Sequence, residues 1–260
     1  MVDTPRVKRV VSLAPSSTQI VVGLGLQDRL VGCTRFCPKV DSKAPPQIVG
    51  GWLDIDYEKV RALKPDLVLT ATFLQDKVKA QVEAMGLQVC HVDPKDLHAV
   101  LYSFEEIAIA LGDPGGGRKL RHVLEKQLRD VEQKTKQLPK KRVYVEEWHK
   151  PPMASGNWVP EIIAVAGGIS GLCRPRHRSV AVTTEEVVRF DPEIIVAAWC
   201  GFCGKEDLSV IRKREGWQGI TAIKTGRVHA LDDNYLNSPD PRLGEGVKRL
   251  AELFHGTSKT

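Results

Sequence analysis

Residues 58–67 read EKVRALKPDL, and residues 185–194 read EEVVRFDPEI. The two segments match at one constant offset, that between Pro65 and Pro192. Each pattern is typical of the end of a helix, a proline turn and the start of an apolar strand. The chain therefore repeats one helix and strand arrangement in its two halves.

The alternation of strands and helices extends outward from both segments. Before Pro114 we predict, in chain order, strand 9–13, a helix from Ser16 to near Gly25, strand 30–33, helix 57–63 capped by Asp56, strand 67–70, helix 75–85 ended by Gly86, and strand 89–92. After Pro139 we predict strand 142–146, helix 160–166 ended by Gly167 and Gly168, a helix opened by Thr183 and Glu186 as a capping box, strand 194–198, strand 228–231 and helix 242–254. Such alternation predicts an α/β fold of two Rossmann-like lobes with parallel sheets.

A long charged segment connects the two halves. Residues 114–137 carry apolar side chains at helical spacing, namely Leu120, Val123, Leu124, Leu128 and Val131. A helix of about 24 residues is about 36 Å long, more than an ordinary crossover needs. We therefore predict an N-terminal lobe at 1–111, a connecting backbone helix within 112–139 and a C-terminal lobe at 140–260.

The composition argues against several classes of function. The chain has 260 residues, of which 42% are hydrophobic, and 38 Lys and Arg against 32 Asp and Glu. Without a long basic run or a nucleic-acid motif, this excess predicts a solvated basic surface and no nucleic-acid partner. Six cysteines in a chain of this length do not predict a disulfide scaffold. No phosphate loop, dinucleotide fingerprint or serine elbow is present, so we predict that the protein is not an enzyme. We also expect it to be a monomer.

Five segments together carry a resemblance to a known family. They are VVSLAPSS at 10–17, GCTRFCP at 32–38, GGWLDIDYEKVRALKPD at 50–66, RVYVEEWHKPPMASG at 142–156 and SPDPR at 238–242. The chain resembles the helical-backbone substrate-binding proteins, which include periplasmic cobalamin-binding and siderophore- or haem-binding proteins of ABC importers. This resemblance implies a ligand cleft between the lobes, a small-molecule metal chelate as ligand, no required cofactor and an ABC permease as partner.

Within that family the chain is most similar to the cobalamin-binding branch. Trp52 stands where those proteins carry a tryptophan that packs on the corrin, and Phe36 lies beside the position of their cleft tyrosine. The loop with Glu147, Trp148 and Met153 replaces an aromatic pair of the other lobe. We expect ligand contacts from the following residues: Phe36, Trp52, Phe73, Glu147, Trp148, Met153, Trp199 and Tyr235. The predicted function is reversible binding of a corrinoid, with haem, a ferric siderophore or a metal ion as the alternative.

Thiols near predicted strand ends suggest a metal site. Cys37 and Cys200 follow predicted strands, Cys203 completes a Cys-x-x-Cys pair, and His149 lies on a third such loop. Thiolate and imidazole groups suit zinc or iron, so Cys37, Cys200 and His149 are predicted metal ligands, either directly or on the metal of a chelate. Two alternatives stay open: incidental packing thiols, and a thiol-dependent enzyme that uses Cys37 or Cys200 with His149.

The sequence gives two opposing indications of the protein's location. The chain passes from Met1 into Arg6 and Lys8 without an apolar stretch long enough for a signal peptide or a transmembrane segment. The segment 234–238 also lacks the Glu-Arg pair expected in importer-linked relatives. These departures predict an intracellular carrier, whereas removal of a leader predicts a periplasmic or other extracytoplasmic protein. Both interpretations stay open.

Overall fold

The computed structural model describes residues 7–256. Residues 1–6 lie outside the described part of the chain, and with them the Met1 start on which the prediction of location depends. The chain divides into two compact units. The N-terminal unit comprises Met1–Pro94 and His98–Val123, and the C-terminal unit comprises Lys95–Leu97 and Leu124–Thr260.

The N-terminal unit is built on one parallel sheet. Its strands are β1 Val10–Ser12, β2 Leu30–Cys33, β3 Gln47–Ile48, β4 Leu67–Ala71 and β5 Val89–Val92. They lie in the order β3-β2-β1-β4-β5, and every neighbouring pair is parallel. The α-helices that accompany them are α1 Pro15–Gly23, α2 Tyr57–Ala62, α3 Asp76–Ala84 and α4 Leu97–Ala110. The sequence analysis made no prediction for α4.

Local signals explain where these elements begin and end. Helix α2 begins after Asp56, whose carboxylate accepts a hydrogen bond from the backbone N–H of Lys59 at 3.1 Å. Gly86, two residues beyond α3, has a φ of 76°, a conformation that glycine adopts without steric cost. The central strands β1 and β4 are buried along their whole length, and their residues are almost continuously apolar.

The charged segment forms one helix, α5, over Pro114–Thr135. The division between the compact units falls within it, between Val123 and Leu124. Its first part therefore belongs to the N-terminal unit and its second part to the C-terminal unit, instead of forming a separate connector over 112–139.

The C-terminal unit has a second, mixed sheet. Its strands are β6 Lys141–His149, β7 Pro152–Ala154, β8 Gly168–Ile169, β9 Val180–Ala181, β10 Ile194–Ala197 and β11 Val228–Ala230. The order is β11-β10-β6-β7-β9, with β8 also paired to β6. Its helices are α6 Val159–Val165, α7 Thr184–Phe190, α8 Ser209–Arg212, α9 Thr221–Lys224 and α10 Leu243–His255. The predicted capping box of α7 is present, with Thr183 and Glu186 bonded to each other's backbone.

The prediction of two α/β lobes with parallel sheets is confirmed for the central strands. Pairs β10–β11, β10–β6 and β6–β8 are parallel. Beyond β6 the sheet continues with the antiparallel pairs β6–β7 and β7–β9. The prediction of a loop over Glu147, Trp148 and Met153 is wrong in this respect, because β6 extends to His149 and Met153 lies on β7. Trp148 and Met153 are direct cross-strand neighbours, so hairpin pairing extends the strand.

Candidate functional site

The end of β6 carries the most exposed aromatic residue of the C-terminal unit that sequence analysis selected. Trp148 is 37% exposed, and its indole N–H donates to the carbonyl oxygen of Lys150 at 3.1 Å. Met153 lies opposite it on β7 and is half-buried. The hairpin therefore presents an indole ring and a thioether side by side where β6 ends and β7 begins.

Trp148 belongs to a cluster of four rings. The ring centroids of His149 and Trp199 are 4.4 Å apart at 34°, and Phe202 stands edge-on to Trp199 at 5.3 Å and 85°. Phe202 is also edge-on to Trp148 at 6.2 Å. Edge-to-face and offset contacts at these separations are favourable between aromatic rings. Sequence analysis missed Phe202, although an aromatic residue directly beyond the predicted strand 194–198 was a signal for it.

Trp199 supports this cluster from the core. It is 1% exposed, and its indole N–H donates to the Glu146 carboxylate at 3.0 Å. The same buried carboxylate accepts from the Tyr144 hydroxyl at 3.0 Å and pairs with the Arg214 guanidinium at 2.5 and 2.9 Å. The prediction that Trp199 contacts a ligand is therefore revised, since its ring is enclosed by the core of the unit. Its role is to hold the rings of His149 and Phe202.

Glu147, next to Trp148 on β6, is held by a hydrogen bond from Ser179. The Ser179 hydroxyl donates a hydrogen bond to the Glu147 carboxylate, and the same hydroxyl oxygen accepts from the backbone N–H of Gly156 at 3.0 Å. Burial raises the pKa of Glu147, while the bond from Ser179 opposes that rise. Glu147 therefore joins neighbouring loops of the unit and is well placed to orient the hairpin.

The predicted metal ligands belong to different units, Cys37 to the N-terminal unit and His149 and Cys200 to the C-terminal unit. Loss of hydration at its sulfur, with the negative charge of Glu147 and Asp233, raises the pKa of Cys200 to about 12, so this thiol keeps its proton at neutral pH. The Nδ1 atom of His149 has no hydrogen-bond partner. Cys37 belongs to the N-terminal unit, where no group of three potential metal-binding side chains occurs among the described residues. The metal set of Cys37, Cys200 and His149 stays a prediction.

One other group of potential metal ligands occurs in residues 7–256, formed by Cys203, Asp232 and Asp233. Both oxygens of Asp233 already accept backbone N–H groups, from Gly201 and from Cys203, at 3.0 Å each. Asp232 accepts from the backbone and side chain of Asn234. The two carboxylates therefore stabilise the loops around them through these hydrogen bonds. The cluster does not by itself indicate a metal site.

In the N-terminal unit, Phe36 is the most exposed of the predicted contacts. It is 61% exposed on the loop after β2, with the Arg35 guanidinium 5.4 Å from its ring centroid. The Arg35 side chain forms an ion pair with Asp54, and its backbone N–H donates to the Gly50 carbonyl at 2.9 Å. The loop of Phe36 is thereby joined to the loop that carries Trp52.

The Trp52 loop depends on a glycine and on a buried glutamine. Gly50 has a φ of 120°, and a Cβ there would collide with the Asp54 carbonyl oxygen. The Gln75 amide, 0% exposed, donates to the carbonyl oxygens of Trp52 and Leu13 at 2.8 Å each. Trp52 itself is half-buried. Gln75 was not predicted from sequence, because its partners are distant along the chain.

Phe73 and Tyr235 complete the predicted contacts. Phe73 begins a short 3-10 helix after β4, and its backbone N–H donates to Asp93 at 3.2 Å. Tyr235 ends the 3-10 helix Asp233–Tyr235, and the Arg249 guanidinium lies 4.3 Å from its ring centroid. One face of Tyr235 is thus already covered by α10.

The fold and these loops can now be compared with known proteins. The family model described as periplasmic binding protein matches residues 10–235. The chain belongs to this family. A substrate-binding lipoprotein of an ABC transporter from Bacillus subtilis, YvrC, is 31% identical over 95% of this chain and 80% of its own length. The vitamin B12-binding protein of Vibrio cholerae is 25% identical over 94% of this chain and 87% of its own.

Solved periplasmic binding proteins share the fold. The haem-binding protein RhuT from Roseiflexus sp. RS-1 matches with a TM-score of 0.81 and 23% identity, over 96% of this chain and 98% of that one. The vitamin B12-binding protein BtuF of Vibrio cholerae matches with a TM-score of 0.74 and 21% identity, over 95% and 96% of the two chains. The resemblance to helical-backbone substrate-binding proteins is therefore confirmed.

The chain is thus a substrate-binding protein of the ABC transporter family. Members of the family are solute-binding proteins. In residues 7–256, no helix is both long enough and apolar enough to cross a membrane.

Proposed function

We propose that this periplasmic binding protein reversibly binds a corrinoid and presents it to an ABC permease. The observation that carries the proposal is the exposed indole of Trp148. The rings of His149 and Phe202 contact this indole, and Trp199 packs against His149. In the proposal, Trp148 and Met153 supply contacts from the C-terminal unit, and Phe36, Trp52 and Phe73 supply contacts from the N-terminal unit.

Rigid aromatic surfaces suit a flat and largely apolar macrocycle. Each directed aromatic contact contributes about 0.5 to 1.5 kcal/mol beyond the burial of area. Because Phe202 and Trp199 pack against the inner side of the cluster, little side-chain entropy remains to be lost when a ligand covers Trp148. A sugar or an amino acid would need more hydrogen-bonding groups than these side chains offer.

The relatives favour a corrinoid among macrocycles. Several relatives that align over 94% or more of this chain are named vitamin B12-binding proteins, at 23 to 25% identity. These alignments cover 94% or more of this chain, so the likeness extends over both units.

Haem is the second candidate, and a specific observation favours it. The ring of His149 lies beside that of Trp148, with centroids 5.3 Å apart, and a neutral imidazole is a common axial ligand of haem iron. Solved proteins of this fold include the Staphylococcus aureus protein IsdE complexed with haem, with a TM-score of 0.82 at 18% identity.

A titration panel tests the proposal. Purified protein is titrated with cyanocobalamin, hemin, a ferric hydroxamate siderophore and zinc chloride, and tryptophan fluorescence and calorimetry are recorded. We expect saturable quenching with cyanocobalamin and the tightest dissociation constant for it. Tightest binding of hemin, with a visible-band shift that His149→Ala abolishes, would replace the corrinoid by haem. No saturable signal with any macrocycle or chelate would end the proposal.

The proposed partner and location follow from the ABC transporter family rather than from the chain's first residues. Substrate-binding relatives are periplasmic proteins or lipoproteins. Expression of the full-length gene, followed by fractionation and affinity purification, provides the test. Recovery outside the inner membrane with a permease is expected, and recovery only in the cytosol would favour an intracellular carrier.

A further inference from the structure

Two cysteines lie together where β2 ends. Cys33 is the last residue of β2 and is 4% exposed, whereas Cys37 follows the next turn and is half-buried. The backbone N–H of Cys37 donates to the Thr34 carbonyl at 3.1 Å, which folds the chain back on the strand end. The Cys37 sulfur lies 3.9 Å from the carbonyl oxygen of Ser12, and Ser12 is paired with Cys33 across β1 and β2, so the two thiols lie at the same end of the strands. Each thiol also alters the pKa of the other, which is raised for Cys33 and lowered for Cys37.

Two hydroxyl groups also surround the Cys37 sulfur. Thr18 Oγ1 on α1 lies 3.1 Å from it, and Thr34 Oγ1 lies 3.2 Å from it. Both threonines are fully buried, so these hydroxyls are held in place. Donors aimed at a sulfur stabilise its thiolate. The Cys33 thiol foremost, with the hydroxyls of Thr18 and Thr34, lowers the pKa of Cys37 to about 6.

The other cysteines outside this pair have the opposite environment. Burial raises the pKa of Cys90 to about 11, and loss of hydration raises that of Cys200 to about 12. The pKa values of Cys173 and Cys203 are raised by the same cause. All six cysteines of the chain lie in the described residues, so Cys37 is the thiolate that forms first among them as pH rises.

We propose that Cys33 and Cys37 form a redox-active dithiol whose oxidant is a small-molecule disulfide of the glutathione class, with Cys37 as the attacking thiol and Cys33 as the resolving thiol. The proposal concerns the protein's own thiols and is independent of the proposed ligand.

The exchange balances in two steps. The Cys37 thiolate attacks one sulfur of glutathione disulfide, so a mixed disulfide forms and one glutathione thiolate leaves. The Cys33 thiol then loses its proton and attacks the Cys37 sulfur, which releases the second glutathione thiolate. The protein loses two protons and two electrons, glutathione disulfide gains the two electrons, and the Cys33–Cys37 disulfide remains. Excess reduced thiol reverses both steps.

The bond would close a short ring around residues 34–36. Phe36 stands in that ring, next to Cys37 and with the Arg35 guanidinium near its ring. Oxidation would therefore restrict the backbone of the segment that carries the most exposed aromatic residue of the N-terminal unit.

Peptide mapping under non-reducing conditions tests the dithiol. Reduced full-length protein is incubated with glutathione disulfide at pH 7, quenched with acid and digested. We expect a Cys33–Cys37 cross-link, a mass loss of two hydrogens and no retained glutathione. Cys33→Ser should keep one glutathione on Cys37, and Cys37→Ser should give neither product. Cys90→Ser is the matched control and should behave as the wild type does.

A second variant tests whether the neighbouring hydroxyl favours ionisation of the Cys37 thiol. Thr34→Val keeps the shape of the side chain but removes one hydroxyl from the sulfur, so the pH midpoint of the Cys37 alkylation rate should move upward. Glutathione retained on Cys200 or Cys203 of the wild type, or the absence of a Cys33–Cys37 peptide, would overturn the proposal. These results are read without ligand, so they leave the ligand titration unaffected.

Discussion

The indole N–H of Trp199 donates to the carboxylate of Glu146, and Arg214 pairs with the same carboxylate through two bonds. Glu146 is 0% exposed and would be costly to bury alone, but the Tyr144 hydroxyl completes its partners. The network therefore joins the end of β6 to the residues beyond β10, which are the two segments that carry the ring cluster.

Removal of this carboxylate should destabilise the C-terminal unit. Glu146→Leu leaves the largely buried guanidinium of Arg214 without its partner, and such losses cost about 3 to 5 kcal/mol. The free energy of unfolding in urea measures the effect. Asp130→Asn, which breaks the exposed pair of Asp130 with Lys126 on α5, is the control and should leave the urea midpoint unchanged. Equal stability of the two variants would contradict the network's structural role.

Truncation of Trp148 should weaken ligand binding. We expect Trp148→Ala to cost about 1 to 3 kcal/mol of binding free energy for cyanocobalamin, the range for loss of a well-packed aromatic anchor. Calorimetry measures the dissociation constant. Tyr102→Ala is the control, because Tyr102 is similarly exposed, at 41%, but lies on α4. An unchanged dissociation constant for Trp148→Ala would remove the hairpin from the proposed site.

Phe36 offers a corresponding test on the N-terminal unit. Phe36→Ala should weaken binding by about 0.5 to 1.5 kcal/mol, because the loss is one directed aromatic contact. Ile109 has the same exposed fraction, 61%, and lies on α4, so Ile109→Ala controls for removal of exposed apolar area. If both variants weaken binding equally, the effect of Phe36 is not local.

Gln75 should be required for the order of the Trp52 loop. Gln75→Leu leaves the carbonyl oxygens of Leu13 and Trp52 without this donor, and each unsatisfied buried group costs about 1 to 3 kcal/mol. Thermal unfolding and the Trp52 fluorescence maximum report the change. Gln218→Leu removes a similar bond at an exposed site and should have little effect. A wild-type melting temperature for Gln75→Leu would refute the assignment.

Stability should depend on pH through the thiol pair. In the unfolded chain both thiols titrate near 9.0, whereas in the folded chain Cys37 has a pKa of about 6 and that of Cys33 is raised. Between pH 6 and 9 the folded chain therefore binds fewer protons than the unfolded chain, so stability rises with pH, and above pH 9 the sign reverses.

Urea unfolding under reducing conditions at pH 6, 7.5 and 9 checks this prediction. The stability of the wild type relative to Cys37→Ser should increase across the series, because the favourable ionisation of Cys37 is lost as pH falls towards 6. Relative to Cys90→Ser the difference should stay constant from pH 6 to 7.5 and fall slightly at pH 9, because the unfolded thiol begins to ionise there while the pKa of Cys90 in the folded chain is about 11. A constant difference for Cys37→Ser would mean that this thiol is not ionised in the folded state.

Local sequence determined the element types and the repeated architecture. The carboxylate of Asp66 accepts from the backbone N–H groups of Lys8 and Arg9, and Glu193 accepts in the same way from Arg142. The two acidic residues match in the repeated segments, so one turn design is used twice. The caps at Asp56 and Thr183 could likewise be predicted, because their partners lie within three residues.

The tertiary structure alone decided which of the predicted site residues are exposed. Trp199 directly follows an apolar run, and Trp148 follows one after two glutamates. The bond from Trp199 to the buried Glu146 encloses the first, whereas the second stays at the surface. The contacts of Gln75 with Leu13, of Phe202 with Trp148 and of Thr18 with Cys37 escaped prediction because they join residues far apart along the chain. Capping and periodicity act over a few residues, whereas burial, ring contacts and thiol ionisation depend on which distant segments pack together.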